Sequence, residues 1–329
     1  MRKTFFVSVL VAVLCFSCNS SGNKQQTSDS GTRDFANVDI PCFSADSAFA
    51  FVESQLAFGE RIPNSAAHGR CAQYLVSKMT QWVDTVIVQN FSALRWDKTE
   101  ISGRNIISVI NPDAENRVLL AAHWDSRAYA DNEQDPQNMH KPILGANDGA
   151  SGVALLMEMA RIMKDCKPAC GIDIIFFDLE DQGTPSFEDN YREDSWCLGS
   201  QYWAKNPHKM FYQADYGILF DMVGGFNPRF TKEEVSRKFA PGITNEIWTV
   251  AQQLGYGKIF VDTPTDAILD DHLYVNQNTN IPMVDIVENQ PDCSFFRYWH
   301  TLNDNLDAID KNTMKIVADV VMTVIYGKK

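Results

Sequence analysis

The chain has 329 residues, 45% of them hydrophobic and 22% charged, which allows a sizeable buried core and excludes wholesale disorder. Its formal charge of -13, from 29 basic against 42 acidic residues with no basic block, argues against nucleic acid as a partner.

In chain order, the opening "MRKTFFVSVLVAVLCFSCNSSG" sets Arg2 and Lys3 before an apolar run too short to span a bilayer, as in a secretory signal. The run stops at Cys18 and small polar residues follow, which is similar to bacterial lipoprotein signals whose cysteine is acylated after cleavage; an ordinary signal cut nearby is the alternative. The reading is therefore a signal peptide over 1–17, a flexible Gly/Ser-rich tether over 18–40 and a single domain over 41–329, exported to the periplasm or anchored at the outer membrane through Cys18. Membrane contact is expected only through that lipid. Of the eight cysteines, Cys15 and Cys18 belong to the signal. Export allows Cys42, Cys71, Cys166, Cys170, Cys197 and Cys293 to oxidise, with no pairing fixed by sequence.

Two helices are expected first, "SADSAFAFVESQLAFG" capped by Ser44 or Asp46 and "SAAHGRCAQYLVSKMTQWV" after the breaker "RIPN". Strands follow at 83–91, 105–111 and 117–124, the last almost wholly apolar and so a buried central strand. The helix from about Gly149 to Lys164 shows Val153, Leu156, Met157 and Ala160 on one face. Then come a strand in "GIDIIFFDLED", a helix near 198–205, a strand in "YGILFDMVGG", a helix from Lys232 to Leu254, a strand in "IPMVDIVE" and a closing helix from Asn312 to Tyr326. Strands alternating with helices predict an α/β fold, a three-layer α/β/α sandwich around a mixed, mostly parallel sheet. Sites in such sheets gather beyond the carboxyl ends of the strands.

The ionisable residues cluster at those ends: His123 and Asp125, Glu180 and Asp181, Asp221, and Glu288. Asp148 stands where a loop becomes a helix, and His300 lies in "YWHTLNDN". Carboxylates brought together repel and lose hydration, so a divalent cation is expected among them. Carboxylate oxygen with imidazole nitrogen suits catalytic zinc. Asp148 has a second reading as an N-cap residue for the amides of "GASG".

These pieces resemble the zinc aminopeptidase superfamily and, within it, the glutaminyl cyclases of the animal type. The resemblance rests on "AAHWDSR", "GANDGASGVALLMEMAR", "IIFFDLED", "LFDMVGG", "LDDHLYV" and "FFRYWHTLNDNLDAID", six ordered pieces from about Pro41 to Tyr326. It implies a zinc-dependent catalytic domain with Asp148, Asp181 and His300 as zinc ligands, although the family places Glu where Asp181 stands. Glu180 falls on the general acid/base, Asp221 and Asp271 on the acidic network around it, and Trp299 and Phe295 on the pocket wall. His123 and Asp125 are left as second-metal or supporting residues. Trp299 is open to a plain core-packing reading.

The implied reaction converts an N-terminal Gln of a peptide or protein to pyroglutamate with release of ammonia, using one zinc ion. The rival is a two-zinc aminopeptidase with Glu180 as base. A lipid-anchored binding protein that has lost the chemistry would need a missing ligand, and Asp148, Glu180, Asp181 and His300 are all present. A serine hydrolase lacks its Gly-x-Ser-x-Gly elbow. Between Asp181 and Trp203, Phe187, Tyr191 and Trp196 all compete for the pocket wall. The segment 123–148 is expected to form a loop over the site, with His140 in solvent.

Overall fold

A computed structural model describes residues 34–328; the expected signal and Cys18 lie outside them. The last residues assigned to the tether belong to the fold: Phe35 is buried, and Val38 and Ile40 pack on the core. Three apolar side chains between Asp34 and Pro41 gain more from burial than from solvation, so packing starts ahead of Pro41.

Two helices open the chain, α1 (Ala45–Leu56) and α2 (Ala66–Met79). Each begins at a serine: Ser44 Oγ accepts from the Ser47 amide and Ser65 Oγ from the His68 amide, satisfying donors that the first helical turn leaves free. A hairpin of β1 (Thr85–Leu94) and β2 (Glu100–Ile110) leads to β3 (Arg117–His123), α3 (Ala150–Asp165), β4 (Gly171–Phe177) and α4 (Leu198–Lys205). The rest comprises β5 (Tyr216–Asp221), β6 (Phe230–Lys232), α5 (Glu234–Phe239), α6 (Pro241–Gln253), β7 (Phe260–Pro264), α7 (Asp271–Asn278), β8 (Met283–Val287) and α8 (Lys311–Gly327).

The six-stranded sheet has the order β1-β2-β4-β3-β5-β8. Pairing is parallel from β4 through β3 and β5 to β8 and antiparallel at β2 and β1, the mixed sheet that the strand–helix alternation predicts. Every residue of β3, β4 and β8 is buried, because helices cover both faces. Val118, Leu120 and Ala122 face the layer of α1, α2, α3, α6 and α8; Leu119 and Ala121 face α4 and α7.

Helix α3 is buried on all sides from Ala150 to Ala160, where periodicity had shown one apolar face. It lies between the sheet and α1, so even Glu158 is enclosed, holding Arg161 at 2.7 Å and the Ser44 amide at 3.2 Å. The single helix expected over 232–254 is two. Ala240 leaves the helical region and Pro241 starts α6 at its first position, where a missing N–H costs nothing. Helix α7 and the parallel pair β6/β7 are too short for a periodicity to mark them in the sequence.

Candidate active site and metal centre

Because β3, β4, β5 and β8 run parallel, their carboxyl ends meet at one edge of the sheet. His123 closes β3, Asp221 closes β5, and Glu180 and Asp181 follow β4 within four residues. Asp148 is aimed there by its neighbours. Gly145 and Gly149 flank it at φ 61° and 98°, in the left-handed region. The buried Arg61 guanidinium donates to the carbonyls of Trp124, Leu144 and Gly145 at 2.9, 2.6 and 2.8 Å, and the Asp304 carboxylate accepts from the amides of Asn147 and Asp148 at 2.8 and 3.1 Å. A Cβ on Gly149 would stand 2.8 Å from the Asp125 carbonyl and 2.9 Å from His123 Cε1. No side chain caps the start of α3, so the N-cap reading of Asp148 is corrected: its carboxylate points into the crevice instead.

Two donor groups converge on that carboxylate. His300 Nε2 lies 3.7 Å from Asp148 Oδ2 and 3.2 Å from Asp181 Oδ1, and His123 Nε2 lies 3.1 Å from Asp148 Oδ1 and 3.2 Å from Asp221 Oδ1. Within each trio the potential ligand atoms lie within 4.8 Å of one another. Asp148 Oδ2 and Asp181 Oδ2 are buried without a hydrogen-bond partner, a costly state for carboxylate oxygens unless a cation faces them. With imidazole nitrogen between them, this donor set fits zinc. The short arm of Asp181 reaches the cluster.

A cavity of about 460 Å³ opens onto these groups. Its walls include Trp299, Phe295, Trp196, Tyr191 and Ile268, and Asp148, Glu180, Asp181, Asp221, Asp270 and His300 reach it. Trp299 stacks on His300 with centroids 3.9 Å apart and touches Phe295 at 4.9 Å, so both aromatic residues carried over from the resemblance stand at the site. Trp196 covers Gly183, where a Cβ would sit 2.0 Å from the indole. Phe187 packs on Tyr129 and His140, away from the cavity.

Residues 105–325, two thirds of the chain and the part that holds this cluster, match Peptidase family M28. The chain belongs to that family. It is 48% identical to the glutaminyl cyclase of Bacteroides thetaiotaomicron solved with N-acetylhistamine, at a TM-score of 0.87, covering 88% of this chain and 100% of that one. A Zn-dependent exopeptidase from Parabacteroides distasonis is likewise 48% identical, at a TM-score of 0.86, covering 88% of this chain and 100% of that one. Among curated proteins, the Bos taurus glutaminyl-peptide cyclotransferase is 25% identical over 300 residues, spanning 78% of this chain and 74% of its own. The chain is an M28 enzyme of the glutaminyl cyclase group, with that group's α/β sandwich.

In this M28 enzyme Glu180 is held by its backbone. The Asp125 carboxylate accepts from the amides of Glu180 and Asp181 at 3.1 and 3.2 Å and from Gln182 Nε2 at 2.9 Å, so Asp125 shapes the turn after β4. The Cys197 thiol donates to Glu180 Oε1 at 3.3 Å. Burial pushes the Glu180 carboxyl well above the ordinary range, with the charges of Asp181, Asp270 and Asp271 adding and His123 opposing. Asp221 is pushed up to about 7, again chiefly by burial, against its hydrogen bond to His123.

Of two adjacent aspartates, the one carried over, Asp271, adds its charge around Glu180 without lining the cavity. Asp270, not Asp271, reaches the cavity. Asp270 is the N-cap of α7, where the side chain projects beyond the helix start, whereas Asp271 in the first turn is fully buried on the side of α4. Both are aspartate, and only the helix start decides which one faces the cavity. Trp196 and Tyr191 were among three open choices in sequence, and the fold places both on the wall.

Proposed function

We propose that the chain is a glutaminyl-peptide cyclotransferase acting on N-terminal Gln of exported peptides or proteins. The observation that carries this reading is Glu180, a buried carboxyl between the Asp148, Asp181 and His300 trio and an aromatic-walled cavity. Asp148, Asp181 and His300 would hold one zinc ion. Zinc, when bound, supplies a Lewis acid that polarises the γ-carbonyl of the glutamine and stabilises the negative charge that gathers on its oxygen.

The protein's own residues do the rest. Glu180 takes a proton from the substrate's α-amine as that nitrogen bonds to the carbonyl carbon of the glutamine side-chain amide. It returns the proton to the side-chain nitrogen as the old C–N bond breaks and ammonia leaves. A carboxyl raised by burial is suited to both steps near neutral pH. Asp221 and Asp270 accept hydrogen bonds from the amine as it is oriented. The cavity walls of Trp299, Phe295 and Trp196 hold the glutamine bent, which turns ring closure into a positioning task.

The experiment is to supply a Gln-initiated peptide with and without a chelator. Ammonia with an otherwise intact chain, abolished by chelation, is the expected result. Free glutamine would establish the second reading, a two-zinc aminopeptidase, which is favoured by the trio of His123, Asp148 and Asp221 sharing Asp148. Zinc content of one against two ions per chain separates the same alternatives. Export and acylation at Cys18 belong to the proposal; fatty-acid labelling that survives Cys18→Ser would count against them.

A further inference from the structure

Buried beneath the cavity is a cation to which the proposed chemistry assigns no task. Arg127 is wholly buried, and its guanidinium is divided between two parts of the metal centre. On one side Nε and Nη2 donate to the two oxygens of Asp131 at 2.8 and 2.7 Å, a bidentate pair. On the other, Nη1 donates to the Asp181 carbonyl at 2.9 Å and lies 3.5 Å from Asp181 Oδ1. The guanidinium also lies 4.5 Å from the ring centre of Trp196, on the cavity wall.

Asp131 passes this arrangement on. Its Oδ1 faces His300 Nδ1 at 3.2 Å, and its other oxygen accepts from the Ser186 amide at 2.8 Å. A carboxylate on Nδ1 fixes the proton there and leaves Nε2 free toward Asp148 and Asp181. The next two residues clamp the same segment by its backbone. The Asn132 amide donates to the His300 carbonyl at 3.1 Å, Asn132 Nδ2 to the Trp299 carbonyl at 3.2 Å, and Glu133 Oε1 accepts from the Leu302 amide at 2.9 Å. Segments 127–133, 181–186 and 299–302, distant in sequence, are thereby tied together.

We propose that Arg127 and Asp131 form one positioning unit that holds Asp181 and His300 at the separation zinc requires. The inference rests on the zinc reading above and concerns affinity for the ion, not the reaction. A lysine would keep the charge but lacks the planar fork that meets Asp131 and Asp181 together. Arg127 stays behind the cavity wall and Asp131 reaches it, so the readout is the affinity for zinc and not turnover.

The test is the zinc dissociation constant of the purified enzyme, measured by competition with a chromogenic chelator, beside the melting temperature of the metal-free protein. Arg127→Lys and Asp131→Asn are each expected to weaken zinc by about 10–100-fold, the range for removing a partner that orients a ligand. The double substitution should cost little more than either single one, because one unit is being broken. Zinc affinity within about twofold of the parent in a folded Asp131→Asn protein would overturn the proposal, as would full additivity. Should Arg127→Lys lower the melting temperature of the metal-free protein, Asp131→Asn, nearly isosteric, decides by the same criterion. A parent enzyme that binds no zinc would sink the metal reading itself, a distinct result from tight zinc with unchanged variants.

Discussion

Glu180 and His300 stand within one cavity yet their removal should have opposite signatures. Glu180→Gln keeps shape and drops the proton carrier, so kcat is expected to fall by about 10²–10⁴-fold, the usual worth of general acid/base catalysis, with zinc content unchanged. Turnover near the parent's would dismiss Glu180 from that role. His300→Ala removes the one imidazole of its donor trio, and metal analysis should find substoichiometric zinc. Both residues are legible in sequence, as an acid after an apolar strand and a histidine in a polar loop. Asp270 is not, because two adjacent aspartates offer the same chemistry and only the start of α7 turns one of them to the cavity.

At the scale of elements, the loop into α3 shows how backbone geometry and chemistry depend on each other. Gly149 adopts φ 98° against the Asp125 carbonyl and the His123 ring, so Asp148 is presented to the crevice by a conformation that L-residues avoid. Gly149→Ala should destabilise the fold by about 1–3 kcal/mol in urea unfolding and weaken zinc as well, since the strain lies beside the ligand. An alanine variant with parental stability would show that the loop can relax without it. The strands were legible because β3, β4 and β8 are largely apolar, with single buried aspartates, Asp173 and Asp285, in the last two. The helix break at Pro241 was not, because the apolar period continues across it while the backbone does not.

For the whole molecule, two properties follow from burial. Glu233 caps α5 from a buried position; burial raises its carboxyl, but the hydrogen bond and charge of His272 and the donors of Ser236 outweigh this and hold it below its ordinary value. A carboxyl depressed in the folded state stabilises the protein above the unfolded pKa of about 4.3 and loses that contribution as pH falls toward the folded value. Glu233→Gln should therefore lower stability at pH 7 and flatten its decline below about pH 4, read by urea titration across pH. The second property is linkage to metal. An ion bound only by the folded chain contributes about 4 kcal/mol at a thousandfold excess over its dissociation constant, so a chelator should lower the melting temperature by several degrees. An unchanged melting curve would mean that no ion is bound at the cluster.

The chain's order of apolar runs and polar punctuation determined the α/β layering, and the acids and histidines following those runs determined which chemistry was available, since strand burial and residue type are local properties. Tertiary structure alone decided how they meet: that Asp148 faces the crevice and not its helix, that Asp270 stands in front of Asp271, that Trp196 closes the wall, and that Arg127 spans two ligands. Each of those depends on distances between segments far apart in sequence, set by packing to a fraction of a side-chain length, and no pattern within a single segment encodes them.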